Sequence, residues 1–159
     1  MKTLIVYHSS TENTKKLALA IKEGIENEGM SAVLKTTEEV REQDFLDADA
    51  IIAGSPVYFG GISWQLKRVF DKLITIRHSM KNKIGAAFAT SGHHTGGKET
   101  TMLDIIHAML ICGMIIVGDP FESGGHYGIA SIGEPDKKGE KDAYLLGQRV
   151  AETVAKFHS

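Results

Sequence analysis

The chain alternates short apolar runs with segments whose apolar residues recur at helical spacing, and this alternation limits its fold most strongly. Residues 2–7, 31–35, 50–53, 84–89 and 114–117 read as strands, each built on an uninterrupted apolar run of three or more residues. Residues 14–28 carry Leu17, Ala18, Ala20, Ile21 and Ile25 on one helical face and stop at Gly29. A weak helical turn covers 42–46. A helix over 63–76 has Ser63 as its N-cap and Leu66, Val69, Phe70 and Leu73 inward. Two more follow over 99–111 and 141–157, the last with Leu145, Leu146, Val150 and Val154 inward. Strands without polar alternation are covered on both faces, and intervening helices make them parallel. The pattern predicts one α/β domain over residues 1–159. Its core is a doubly wound five-stranded parallel sheet, order 2-1-3-4-5, with helices on both faces. Residues 119–138, rich in Gly, Pro and charge, read as a surface loop.

Composition removes several classes of function. A net charge of −2 over 159 residues gives no electrostatic reason to expect a nucleic-acid or anionic-membrane partner. It is also not the strongly acidic surface of a carrier that docks on basic partners. The single cysteine, Cys112, cannot form an intramolecular disulfide and reads as a core residue, so a cytoplasmic location is expected. The N-terminal apolar run turns polar at His8, unlike a signal peptide. The stretch 109–117 is too short to span a bilayer and is interrupted by Gly113.

Ligands of open parallel sheets bind at the carboxyl ends of the strands, so the residues after each strand carry the functional information. After the first come Ser9, Ser10, Thr11, Glu12, Asn13 and Thr14, just where a helix begins. Hydroxyls, free N–H groups and the positive end of a helix dipole suit a phosphate there; a well-capped helix start is the plainer alternative. The loop holds no Lys or Arg and no Walker signature, which argues against nucleotide triphosphate cleavage. No acidic residue stands directly at the end of the first strand, where magnesium would be held, which removes a magnesium-dependent phospho-receiver. The third strand leads into Gly54-Ser55-Pro56-Val57-Tyr58-Phe59-Gly60-Gly61, and the fourth into Thr90-Ser91-Gly92-His93-His94-Thr95-Gly96-Gly97. Such loops let backbone approach a flat heteroaromatic ligand closely, with Tyr58 and Phe59 as a stacking wall.

The run from Gly54 to Asp71, G-S-P-V-Y-F-G-G-x-S-x-Q-L-K-x-x-x-D, resembles the second flavin loop of flavodoxin-like FMN-dependent reductases. The nearest resemblance is to tryptophan-repressor-binding-protein-like NAD(P)H:quinone oxidoreductases and NADPH-dependent FMN reductases. Residues 91–99 and Gly124-Gly125-His126-Tyr127-Gly128 echo later segments of that family, and S-S-T-E-N-T is similar to the flavodoxin phosphate loop. The resemblance implies a flavodoxin-like fold and FMN as cofactor. Ser9, Ser10, Thr11, Asn13 and Thr14 would then hold the FMN phosphate. Pro56, Val57, Tyr58, Phe59 and Gly60 would flank the isoalloxazine. Thr90, Ser91, Gly92, His93, Gly96 and Gly97 would cover its pyrimidine side. It further implies NAD(P)H as co-substrate, a small-molecule acceptor or a redox partner protein, and a homodimer or homotetramer.

The departures are specific. Glu12 replaces the flavodoxin glycine and has to point away from a phosphate dianion. The quinone reductases' His pair reads Ile111-Cys112, and their quinone-stacking Trp has no counterpart in 74–82. His126 and Tyr127 either cap a loop or line the exposed flavin edge, where they are the candidate catalytic side chains beyond the flavin. Trp64 packs at a subunit contact or near the flavin. His93-His94 is a poor metal pair, since adjacent residues rarely ligate one ion and no carboxylate or thiol cluster accompanies them; no metal is expected. Three functions stay open: an NAD(P)H-dependent reductase of a quinone, flavin or other small acceptor; a flavodoxin-type electron carrier; and an FMN-binding module without turnover.

Overall fold

The computed structural model describes residues 1–158. Strands β1 (Lys2–Tyr7), β2 (Ser31–Thr36), β3 (Ala50–Pro56) and β4 (Ile84–Ser91) pair in parallel in the order β2-β1-β3-β4. The fifth position is split. β5 (Ile115–Ile116) pairs with Ile84 and Gly85, and β6 (Ile129–Ile132) pairs with Phe88 to Ser91 on β4. The doubly wound 2-1-3-4-5 architecture is therefore present, with two short segments where one strand was expected.

Helices α1 (Asn13–Asn27) and α5 (Lys137–His158) cover one face of the sheet; α2 (Glu42–Leu46), α3 (Trp64–Lys72) and α4 (Lys98–Ile111) cover the other. Strand side chains alternate between the two layers, as the two-residue period of a strand requires. Ile5, Ile52 and Phe88 meet Leu17, Ile21, Leu146 and Val150, while Leu4, Ile51 and Ala87 meet Phe45, Leu66, Phe70 and Ile105. In the first layer α1 and α5 touch backbone to backbone. A Cβ on Gly147 would lie 2.1 Å from the Ile21 carbonyl oxygen, and one on Gly24 2.0 Å from that of Tyr144.

The expected 119–138 loop is corrected: it contains β6 and the start of α5 at Lys137. The four residues between Gly128 and Gly133, of which only Ile129 is fully buried, present too little apolar pattern to read as a strand; pairing with β4 makes them one. The expected helix over 63–76 ends at Lys72 and continues as 3-10 turns. Its start holds, with Ser63 Oγ accepting from the Leu66 N–H at 3.4 Å.

Candidate functional site

The loops after β1, β3 and β4 meet at the carboxyl edge of the sheet. The Thr14 and Thr90 hydroxyls, both buried, share a hydrogen bond of 2.8 Å, joining the start of α1 to the end of β4. The Val57 N–H donates to the Thr90 carbonyl at 2.7 Å, and the His8 N–H to that of Gly54 at 3.2 Å. Ser10 and Tyr58 share a 2.6 Å hydrogen bond between their hydroxyls. Ser10 thus fastens the first loop to the aromatic one, a role the sequence pattern did not indicate.

The first loop leaves hydrogen-bond donors without acceptors. Glu12, the residue before α1, has φ 67° and ψ −8°, the left-handed conformation that explains glycine in the related motif. Its carboxylate turns to Lys15 Nζ at 2.6 Å, which raises the lysine's pKa through that hydrogen bond. The second nearby cation, Lys16, pairs with Glu134. Helix α1 has no side-chain cap, and the Asn13, Thr14 and Lys15 N–H groups find no acceptor among the described residues. The buried Ser9 Oγ is likewise without a partner. Uncapped N–H groups beside an orphaned hydroxyl are the donor set that a phosphate satisfies, so these residues fit the phosphate end of FMN.

The aromatic loop is a tight turn. Tyr58 and Gly61 exchange backbone hydrogen bonds at 3.0 and 3.2 Å, and both central residues have positive φ, Phe59 at 49° and Gly60 at 83°. A bulky residue in that region is strained, and the Phe59 ring at the tip of the turn is fully exposed. The turn is held from behind. A Cβ on Gly97 would lie 2.7 Å from Gly60 Cα, the Thr100 hydroxyl donates to the Gly60 carbonyl, and Asp104 Oδ2 accepts from the Ile62 N–H at 3.0 Å. Pro56 and Val57 are half-buried at its base.

In the third loop the Ser91 hydroxyl donates to the His93 carbonyl at 2.8 Å, and Gly96 closes a turn on the same oxygen. Gly92 and His93 are exposed and His93 Nδ1 lies 3.1 Å from Thr95 Oγ1. Among the described residues no group of His, Cys, Asp and Glu could hold a metal. His126 and Tyr127 sit elsewhere, on the return of an excursion from the sheet edge. Gly128, beside them, packs on the Ala87 carbonyl, and the Gly125 and His126 N–H groups donate to the buried Asp119 carboxylate at 3.1 and 2.6 Å. These backbone contacts organise that excursion. His8, not singled out in the sequence, lies between Ser10 (3.4 Å), Thr37 (3.4 Å) and the Glu38 carboxylate (3.8 Å), edge-on to Tyr58. Its place directly before the hydroxyl loop was the available signal.

The profile of the family described as NADPH-dependent FMN reductase matches residues 34–127, more than half the chain. The chain belongs to this family. It is 37% identical to a flavodoxin of Aquifex aeolicus over 98% of this chain and 88% of that one. It is 33% identical to an NAD(P)H dehydrogenase (quinone) of Archaeoglobus fulgidus over 98% of both. A crystal structure of a flavodoxin, WrbA-like protein from Agrobacterium tumefaciens superposes with a TM-score of 0.85 at 28% identity, over 98% of each chain. Family membership supports the FMN expected from the three loops.

Proposed function

We propose that this chain is an FMN-dependent oxidoreductase that takes reducing equivalents from NAD(P)H and passes them to a quinone, a flavin or another small acceptor. The observation that carries the reading is the uncapped, donor-rich start of α1, tied by side-chain hydrogen bonds to an exposed aromatic turn through Ser10 and to the end of β4 through Thr14. Ser9, Thr11, Asn13 and Thr14, with the free N–H groups of α1, hold the phosphate. Ser10 positions Tyr58, and residues 56–60 flank the ring. Residues 90–97 bound its other side, with Gly92, Gly96 and Gly97 letting the backbone approach it. FMN supplies the hydride-accepting and electron-donating chemistry when bound; the protein binds, orients and limits water. Space beside Gly60 and Gly92, where an added Cβ would meet nothing within 4 Å, leaves room for a second planar ligand. No side-chain acid or base is needed for hydride transfer, so His126 and Tyr127 take no catalytic part in this reading.

A flavodoxin-type carrier is the second reading, favoured by the likeness to the Aquifex flavodoxin. Anaerobic mixing of the FMN-loaded protein with NADH or NADPH separates them. Rapid loss of the flavin's visible absorbance is expected; reduction by dithionite alone supports the carrier. We also propose a cytoplasmic homodimer. An apolar groove of about 680 Å³ between α3 and α4 exposes Ile74 and Ile111, and its lining includes the cations Lys67 and Arg77 and the carboxylates Asp71 and Asp104. Mixed charges around one patch suit a second copy of itself. Cys112 half-lines this groove, and burial pushes its thiol pKa up. Light scattering of the purified protein tests the dimer.

A further inference from the structure

A second cleft, of about 330 Å³, lies between the turn after β2 and helix α3, lined by Thr37, Glu38, Trp64, Gln65, Arg68 and Lys72 among others. Trp64, Arg68 and Lys72 are four residues apart and so share one face of α3. Charges elsewhere on this helix are paired, as Lys67 is with Asp71. Arg68 and Lys72 have no carboxylate partner among the described residues. Gln65, in the same lining, has its Oε1 buried without a hydrogen-bond donor. A buried acceptor left unpaired costs free energy until a ligand supplies an N–H or O–H. Trp64 is 63% exposed, an indole face available for stacking.

The cleft adjoins the flavin loops. Thr37 and Glu38, on its far wall, contact His8, which lies edge-on to Tyr58 with ring centroids 6.1 Å apart. We propose that this cleft binds the phosphate-bearing nucleotide arm of NADPH. Arg68 and Lys72 take its phosphates, Trp64 stacks on a planar base, and Gln65 Oε1 accepts from a ribose hydroxyl or base amine. The size suits part of a dinucleotide, since whole ligand sites run from roughly 300 to 1,000 Å³. The remaining part extends toward Tyr58. Glu38 faces the cations across the cleft and sets a limit on how much negative charge enters. The proposal rests on the reading that NAD(P)H is the reductant.

The test is binding of adenosine 2′,5′-bisphosphate, which carries no nicotinamide and cannot react, to the FMN-loaded protein by calorimetry. We expect binding that weakens with salt, and a loss of about tenfold or more in R68A/K72A, the effect of removing charge-assisted contacts to a phosphate. In the same variant KM for NADPH rises by a similar factor, kcat and FMN affinity stay near wild type, and R68K recovers part of the loss. Q65L weakens the probe without changing its salt dependence. Failure of the wild-type protein to bind the probe, or equal binding by R68A/K72A, overturns the proposal even where NADPH reduces the flavin. Slower electron exchange with a protein partner in R68A/K72A, with probe binding and NADPH KM unchanged, overturns it too and assigns the cations to docking. Absence of any NADPH reduction in wild type, with the probe still bound in the cleft, instead defeats the reductase reading, and with it NADPH as the occupant.

Discussion

Helix α1 behaves oppositely along its length. Its middle is locked against α5 with Leu17, Ile21 and Ile25 wholly buried and glycines letting the two backbones touch. Its first turn is uncapped, follows a residue with left-handed backbone, and keeps donors without acceptors. A helix start left this way is unfavourable taken alone. The buried seam over-determines the helix, so its end can stay unsatisfied until an anion arrives. Stability sits in one half of the helix and the proposed phosphate binding in the other.

Substitutions should separate the halves. Leu146→Ala, in the seam, should lower stability by about 2–5 kcal/mol in urea unfolding and leave FMN affinity of the folded fraction unchanged. Gly147→Ala should cost about 1–3 kcal/mol by forcing the Ile21 carbonyl away; a neutral result would show that the helices can part without loss. At the junction, Thr14→Val strands the buried Thr90 hydroxyl and should cost about 1–2 kcal/mol, but here FMN titration should also weaken. Glu12→Gly is the smallest effect and has the opposite sign. Relief of the left-handed backbone outweighs an exposed ion pair, so stability should rise by about 1 kcal/mol, with no loss of FMN affinity. A fall in both would mean that the Glu12–Lys15 pair shapes the cradle.

Much of this division was legible in the sequence because it rests on local pattern. Apolar runs placed β1 to β4, helical spacing placed α1 and α4, and the hydroxyl loop marked the start of α1, where N–H groups are left without acceptors. What was hidden depends on contacts distant along the chain. Ser10 looked like one more phosphate ligand until Tyr58, 48 residues away, took its hydroxyl. The positive φ of Phe59 follows from a turn that Gly97 and Thr100 brace from α4. The glycine-rich motif before β6 gave no sign that Asp119, six and seven residues upstream, accepts from the Gly125 and His126 N–H groups. The strand β6 exists only because β4 offers it a partner.

That split outer position also bears on how the chain behaves in concentrated solution. An uninterrupted outer strand would present a continuous row of free amides and carbonyls, a template on which a second molecule could add its own strand. Here the row is broken between Ile116 and Ile129 by a looped excursion anchored on Asp119. Only two- and four-residue stretches are left facing outward. At the opposite side, β2 runs six residues unbroken. Runaway intermolecular pairing of this fold would therefore begin at β2.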